Sequence, residues 1–305
     1  MALTRLRRAL DRAGLTPAWS IPEASEGRGE QAAIHPAELV EPAHPFTRPV
    51  GEGVPWSEPV AFLDGIRRFE PVASAGVSPL VVADIAAAVR VREGRSFRTA
   101  ALRKERVVIG RPEALAAAGE ALDGWPTLAL AADDPPHPIG DLFLARAAVE
   151  RRRGELEREA GRAFRTASAG WLVVDGSIAE GAEWASHPRT VGVIKSHASL
   201  PFSGAELESY LRLPAGHRSP VFRPRSRSWT PVHSWALRLW PWEGKDLLYG
   251  LIRIEVAPGD AVSERADELS RWLLAERAPV STPDARWDRL LYGIHDVERF
   301  LRSER

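Results

Sequence analysis

The chain has 305 residues, 44% of them hydrophobic and 27% charged, enough for one large or two modest soluble domains. Its 41 basic and 41 acidic residues cancel, so the field of the whole molecule gives no argument for a polyanionic partner, and local charge must decide that question. The absence of cysteine excludes disulfides, thiolate nucleophiles and Cys-ligated zinc or iron–sulfur sites, so any metal must sit on oxygen or imidazole.

Residues 2–14 read as a short basic amphipathic helix. It has no long apolar centre, and no later apolar run approaches the ~20 residues that span a bilayer, so a cytoplasmic location without membrane contact is expected. Prolines at 22, 36, 42, 45, 49 and 55 then mark residues 1–56 as an N-terminal helix and Pro-rich arm, with residues 57–305 as the main domain.

From residue 57 the pattern turns to period-two and continuous apolar segments. PVAFLDGIRRFEPVA (59–73), a turn at 76–79 and LVVADIAAAVRV (80–91) predict an antiparallel hairpin, with ERVVIG (105–110) as a third strand. EALAAAGEAL (113–122) is helical, and a Pro/Asp-rich loop at 133–138 leads into a long helix over about 139–165. Leu142, Ala145, Val149 and Leu156 line one face of that helix. WLVVDGS (171–177) follows as a buried strand ending in Asp175-Gly176, VGVIKS (191–196) as another strand and GAELESYLRL (204–213) as a helix. HSWALRLWPW (233–242) and DLLYGLIRIEV (246–256) predict a second hairpin, and two helices over 263–278 and 284–303 close the chain.

Two aspartates stand out, Asp64 and Asp175, each after a buried apolar run and each followed by glycine. Asp-Gly is an ordinary way to leave a strand through a turn. It is also what phosphodiester hydrolysis by two metals requires: carboxylates at adjacent strand ends, faced by helix acids, holding two Mg²⁺ or Mn²⁺ ions ~3.5–4 Å apart. The facing acid is one of Glu150, Glu155, Glu157 and Glu159, and Glu150 lies nearest the apolar stripe through Val149. Asp84 reads as an outward-facing strand residue. In the basic loop 219–230, Arg223, Arg225, Arg227 and Trp229 interleave cations with an aromatic, a pattern that tracks phosphates and stacks bases.

AFLDGIRR (61–68), the acidic helix before WLVVDGS, VGVIKSH (191–197), the strands SWALRLWPW and YGLIRIEV, and LLYGIHDVERF (290–300) occur in an order that resembles the NurA nucleases. The resemblance covers about residues 57–303. It implies an α/β fold with an RNase H-like mixed sheet flanked by helices, an inserted β-hairpin and an N-terminal arm. It also implies a homodimeric metal-dependent deoxyribonuclease that processes DNA ends with a HerA-type hexameric ATPase in DNA repair. Carried over residue by residue, Asp64 and Asp175 become metal ligands, Glu150 a third ligand, Lys195 a phosphate contact and His295 a metal or site residue at the scissile phosphate. The first motif departs from the pattern in having Ile66 where serine is usual, and no Tyr-Pro precedes His295. The first departure motivates a rival reading, a non-catalytic adaptor that docks the translocase; an anti-phage defence nuclease with the same chemistry is a third.

Overall fold

The computed structural model describes residues 2–17, 33–131, 133–179, 181, 184, 186–197, 199–225, 230–243, 245, 247–279 and 287–304. The chain is α/β, with mixed sheet and helices, and divides into two units. One comprises residues 1–29, 65–87 and 102–159, the other residues 30–64, 88–101 and 160–305. Three long strands, β1 (Val60–Ala75), β2 (Ser78–Glu93) and β3 (Ser96–Gly110), contribute residues to both.

In the first unit the sheet order is β1-β2-β3-β4, with β4 (Thr127–Ala129) parallel to β3 through Val108↔Thr127. The amphipathic N-terminal helix, α1 (Ala2–Arg12), is part of this unit's core. Its Leu6 and Leu10, one turn apart, pack with Leu15, Val72, Leu80, Val82 and Val108, and with Ala114 and Ala118 of α2 (Pro112–Ala118). The Pro/Asp-rich loop is held by buried Arg111, which donates to Asp134 O (2.7 Å) and Pro135 O (3.2 Å). Arg111 also forms a bidentate pair with Asp141 (2.9 and 2.8 Å) in the first turn of α3 (Pro138–Ala167). Asp84 faces outward and pairs with Arg106 on the neighbouring strand.

In the second unit β1 continues into β5 (Trp171–Asp175), β6 (Thr190–Ile194), β8 (Leu251–Val256) and β7 (His233–Arg238), the last bordered by a short pairing of Phe222–Arg223 with Glu38–Leu39. β5 is parallel to β1 and β6 is parallel to β5, whereas β8 and β7 are antiparallel additions. The apolar runs behave as fully buried strands should: Phe62, Leu63, Leu172, Val173, Val191, Val193, Ile252 and Ile254 have no exposure. A second cluster joins Phe46, Phe202, Phe222, Ala236 and Leu251 with Tyr210 of α4 (Gly204–Leu211). α5 (Val262–Ala275) and α6 (Tyr292–Ser303) complete the unit.

Gly293 of α6 lies so close to the Phe62 ring that a side chain there would overlap it. Gly293→Ala is therefore expected to lower stability by about 1–3 kcal/mol, through displaced packing, despite alanine's better helix propensity. A denaturant midpoint equal to or above that of the parent chain would show that α6 is not seated in this way.

Several boundaries differ from the sequence reading. β1 does not end at Asp64 but continues extended through Gly65 to Ala75, so of the two aspartates only Asp175 ends its strand, and β8 starts at Leu251 and not at residue 246. The third strand starts at Ser96, because the two-residue turn at Gly94 carries β2 directly into it although SFRTAALRK lacks clean alternation. β7 stops at Arg238, short of Pro241, which has no N–H for a ladder. The last helix starts at Tyr292, because Leu291 is extended and bridges to Arg277. Among the described residues no helix is long and apolar enough to cross a membrane.

Candidate active site

The site grows from the register of three parallel strands in the second unit. β1 and β5 pair from Val60↔Trp171 through Leu63↔Val174, so the next residues on the two strands are Asp64 and Asp175. β6 adds Val193 opposite Asp175, and Lys195 follows two residues on. The Lys195 Nζ donates to Asp175 Oδ2 at 2.8 Å. Asp64 is buried (6% exposed), while Asp175 and Lys195 keep partial access to solvent.

The turn after Asp175 is closely specified. Gly176 has φ +123°, a backbone region that favours glycine, and its amide donates to Val193 O at 2.9 Å. Ser177 Oγ (2.7 Å) and the Ile178 amide (3.1 Å) both donate to Oε2 of Glu255, a buried residue of β8. Sequence reasoning missed Glu255. Its only signal was a lone carboxylate next to last in the strand LIRIEV.

The acids of α3 each have cationic company. Glu150 accepts from Arg67 and, at 3.0 Å, from Arg153 Nε. Burial pushes the Glu150 carboxyl up, but the Arg153 and Arg67 bonds and charges outweigh it and leave it below the ordinary value. Glu155 and Glu159 both pair with Arg152. Glu157 is the most buried of the four; it pairs with Arg153 and stands where a Cβ on Gly65 would overlap its carboxylate. Of the four glutamates left open by the sequence, Glu157 is thus the one set against the residue that follows Asp64.

His295 lies on α6, the helix seated on Phe62 through Gly293. Its amide donates to Leu291 O (3.0 Å), and its Nδ1 is buried with no hydrogen-bond partner among the described residues. Beside it, Asp296 pairs with Arg90 at 2.6 Å, and Arg90 also lies over the rings of Phe97 and Phe300. Burial pushes the Asp296 carboxyl up. Arg223 and Arg225 are exposed, Arg223 within 3.3 Å of Glu38; Arg227 and Trp229 lie outside the described residues.

The donors that Asp64 and Asp175 offer on β1 and β5 are carboxylate oxygens, the type that Mg²⁺ and Mn²⁺ prefer. Among the described residues no three His, Asp or Glu side chains stand close enough together to hold one ion. Two carboxylates on adjacent strands still suit Mg²⁺, which usually takes one or two protein carboxylates and completes its shell with water and substrate phosphate.

No protein-family model and no curated protein matches the sequence. The structure is similar to the crystal structure of the NurA nuclease from Sulfolobus solfataricus, with a TM-score of 0.51 and 8% identity, over 82% of this chain and 80% of that one. At that identity the likeness establishes the fold: the chain is built on a NurA-like α/β architecture.

Proposed function

We propose that this chain is a divalent-metal-dependent nuclease that hydrolyses DNA phosphodiesters, with Asp64 and Asp175 as its principal metal ligands. The observation that carries the reading is the register of β1 and β5, which puts Asp64, within β1, and Asp175, at the end of β5, each next after the paired residues Leu63 and Val174 of neighbouring parallel strands. The NurA-like fold supports it. When bound, Mg²⁺ or Mn²⁺, in one or two sites, supplies an activated water and a Lewis acid for the phosphate.

The remaining work falls to side chains. Asp64 and Asp175 hold the cationic charge. Lys195, 2.8 Å from Asp175 Oδ2, releases that oxygen and donates from Nζ to a phosphate oxygen, where an ammonium stabilises developing negative charge. The third acid is a glutamate of α3, and Glu157 joins Glu150 as a candidate because of its place against Gly65. His295 is assigned to the scissile phosphate, and Arg223, Arg225, Arg227 and Trp229 to the DNA strand. An RNase H-like core with an inserted hairpin, a homodimer, a HerA-type hexameric ATPase as partner and a role in DNA repair at DNA ends complete the proposal. They rest on the sequence resemblance, as does the anti-phage alternative.

One set of observations favours a second reading, a non-catalytic adaptor: Asp175 is paired with Lys195, and Glu150 with Arg67 and Arg153. A cleavage assay separates the two. Linear single- and double-stranded DNA should be cut with Mn²⁺ or Mg²⁺ and left whole with chelator. A chain inert with every metal, also beside a HerA-type ATPase, is the adaptor.

A further inference from the structure

Glu255 is a carboxylate in the interior of a sheet. It lies on β8 between β6 and β7, with Gly192 opposite on one side and Ser234 on the other, and is only 2% exposed. Burying a charged group there is costly unless its lone pairs are met. They are: Oε2 accepts from Ser177 Oγ at 2.7 Å and from the Ile178 amide at 3.1 Å, and Oε1 accepts from Arg253 Nη2 at 3.3 Å. Ser177 Oγ in turn accepts from the Ala179 amide at 3.2 Å.

The donors to Oε2 belong to the turn that leaves Asp175. That turn is pressed onto the sheet at Gly192, where a Cβ would stand 2.8 Å from Gly176 O and 3.0 Å from Ile178 Cγ2. The missing side chain at 192 gives the turn its place, and the carboxylate at 255 gives it hydrogen-bond acceptors. A leucine or valine at 255 would fill the strand without the cost of burying charge, and would hold none of these groups. Stability therefore does not account for this glutamate, whereas the geometry of the turn does.

We propose that Glu255 is a positioning residue: through Ser177 and the Ile178 amide it fixes the turn after Asp175, and so the direction of the Asp175 carboxylate. The proposal rests on the nuclease reading, in which Asp175 is a metal ligand. A shift of about 1 Å in a catalytic group costs on the order of 10²-fold in rate.

The test is kcat and KM on linear DNA at saturating Mn²⁺ for the parent chain, Ser177→Ala, Ser177→Thr and Glu255→Gln, with Asp175→Asn as the check on the underlying reading. Glu255→Gln alters a buried ion pair and can fail to fold, so Ser177→Ala carries the weight. Ser177→Ala should lower kcat about 10- to 100-fold with KM for DNA within about twofold of the parent, and Ser177→Thr, which keeps the hydroxyl, should recover most of that loss. A Ser177→Ala kcat equal to the parent's, or a threonine variant no better than alanine, overturns the positioning role alone, provided the parent cuts DNA and Asp175→Asn does not. A parent chain inert with every metal, or an Asp175→Asn variant at full rate, overturns both readings together.

Discussion

Glutamine in place of Glu41 is expected to destabilise the protein by about 3–5 kcal/mol, the cost of stranding a buried charge when its partner is removed. Glu41 accepts from Arg218 Nη1 (2.7 Å) and Nη2 (3.0 Å), from the Val221 amide (2.6 Å) and from the Ser263 hydroxyl. Arg218 is itself buried and also pairs with Asp267. Burial pushes the Glu41 carboxyl up, but the bonds from Arg218, Ser263 and Val221 outweigh it and lower the pKa from 4.5 to about 2. A carboxyl lowered on folding contributes stability above its unfolded pKa and loses it as pH falls through the folded one. The contribution, roughly 3 kcal/mol for that shift, is complete above about pH 4.5 and gone below about pH 2. Thermal unfolding followed from pH 7 to pH 2 should show the parent losing stability between 4.5 and 2 more steeply than Glu41→Gln, which starts lower. Coincident curves would mean that Glu41 and Arg218 are not paired in solution.

Asp175→Asn is expected to remove DNA cleavage by on the order of 10³-fold or more, about 4 kcal/mol of transition-state stabilisation, while leaving the fold intact. Asparagine has the same shape and keeps one carbonyl oxygen for Lys195, and the turn behind it hangs on Glu255, which the substitution does not touch. The variant should thus unfold within a few degrees of the parent and still bind DNA. Single-turnover cleavage with Mn²⁺, beside a thermal melt, checks both halves. Loss of cleavage together with a large loss of melting temperature would instead make Asp175 a structural residue.

Parts of this arrangement were legible in the sequence. VAFL before Asp64 and WLVV before Asp175 are runs that only a sheet buried on both faces tolerates, and the glycine after Asp175 marks a strand end, whereas β1 runs on through Gly65 to Ala75. The pairing of those two strands gives the runs a shared register that no local pattern carries. Glu255 was not legible, because one glutamate in LIRIEV reads as an outward-facing residue until Gly192 is known to lie opposite it. Nor was the place of Glu157: helical periodicity singles out Glu150 beside Val149, and that Glu157 lies against the absent side chain of Gly65 is a contact 92 residues apart in the chain. Glu41 lay in a segment whose prolines mark it as an arm, while its partner Arg218 stands 177 residues away. Leu6 and Leu10 were visible as an amphipathic stripe, but the surface they cover belongs to strands more than sixty residues later. In each case what the sequence lacked was a long-range contact, not a propensity.

Mn²⁺ binding measured by titration calorimetry on the parent chain, Asp64→Asn and Asp175→Asn shows whether Asp64 and Asp175 hold the metal. The parent should bind Mn²⁺, and each variant should bind it at least about tenfold more weakly, since each loses one of the few anionic ligands such an ion takes. Equal affinity in all three proteins would contradict this and place the metal elsewhere.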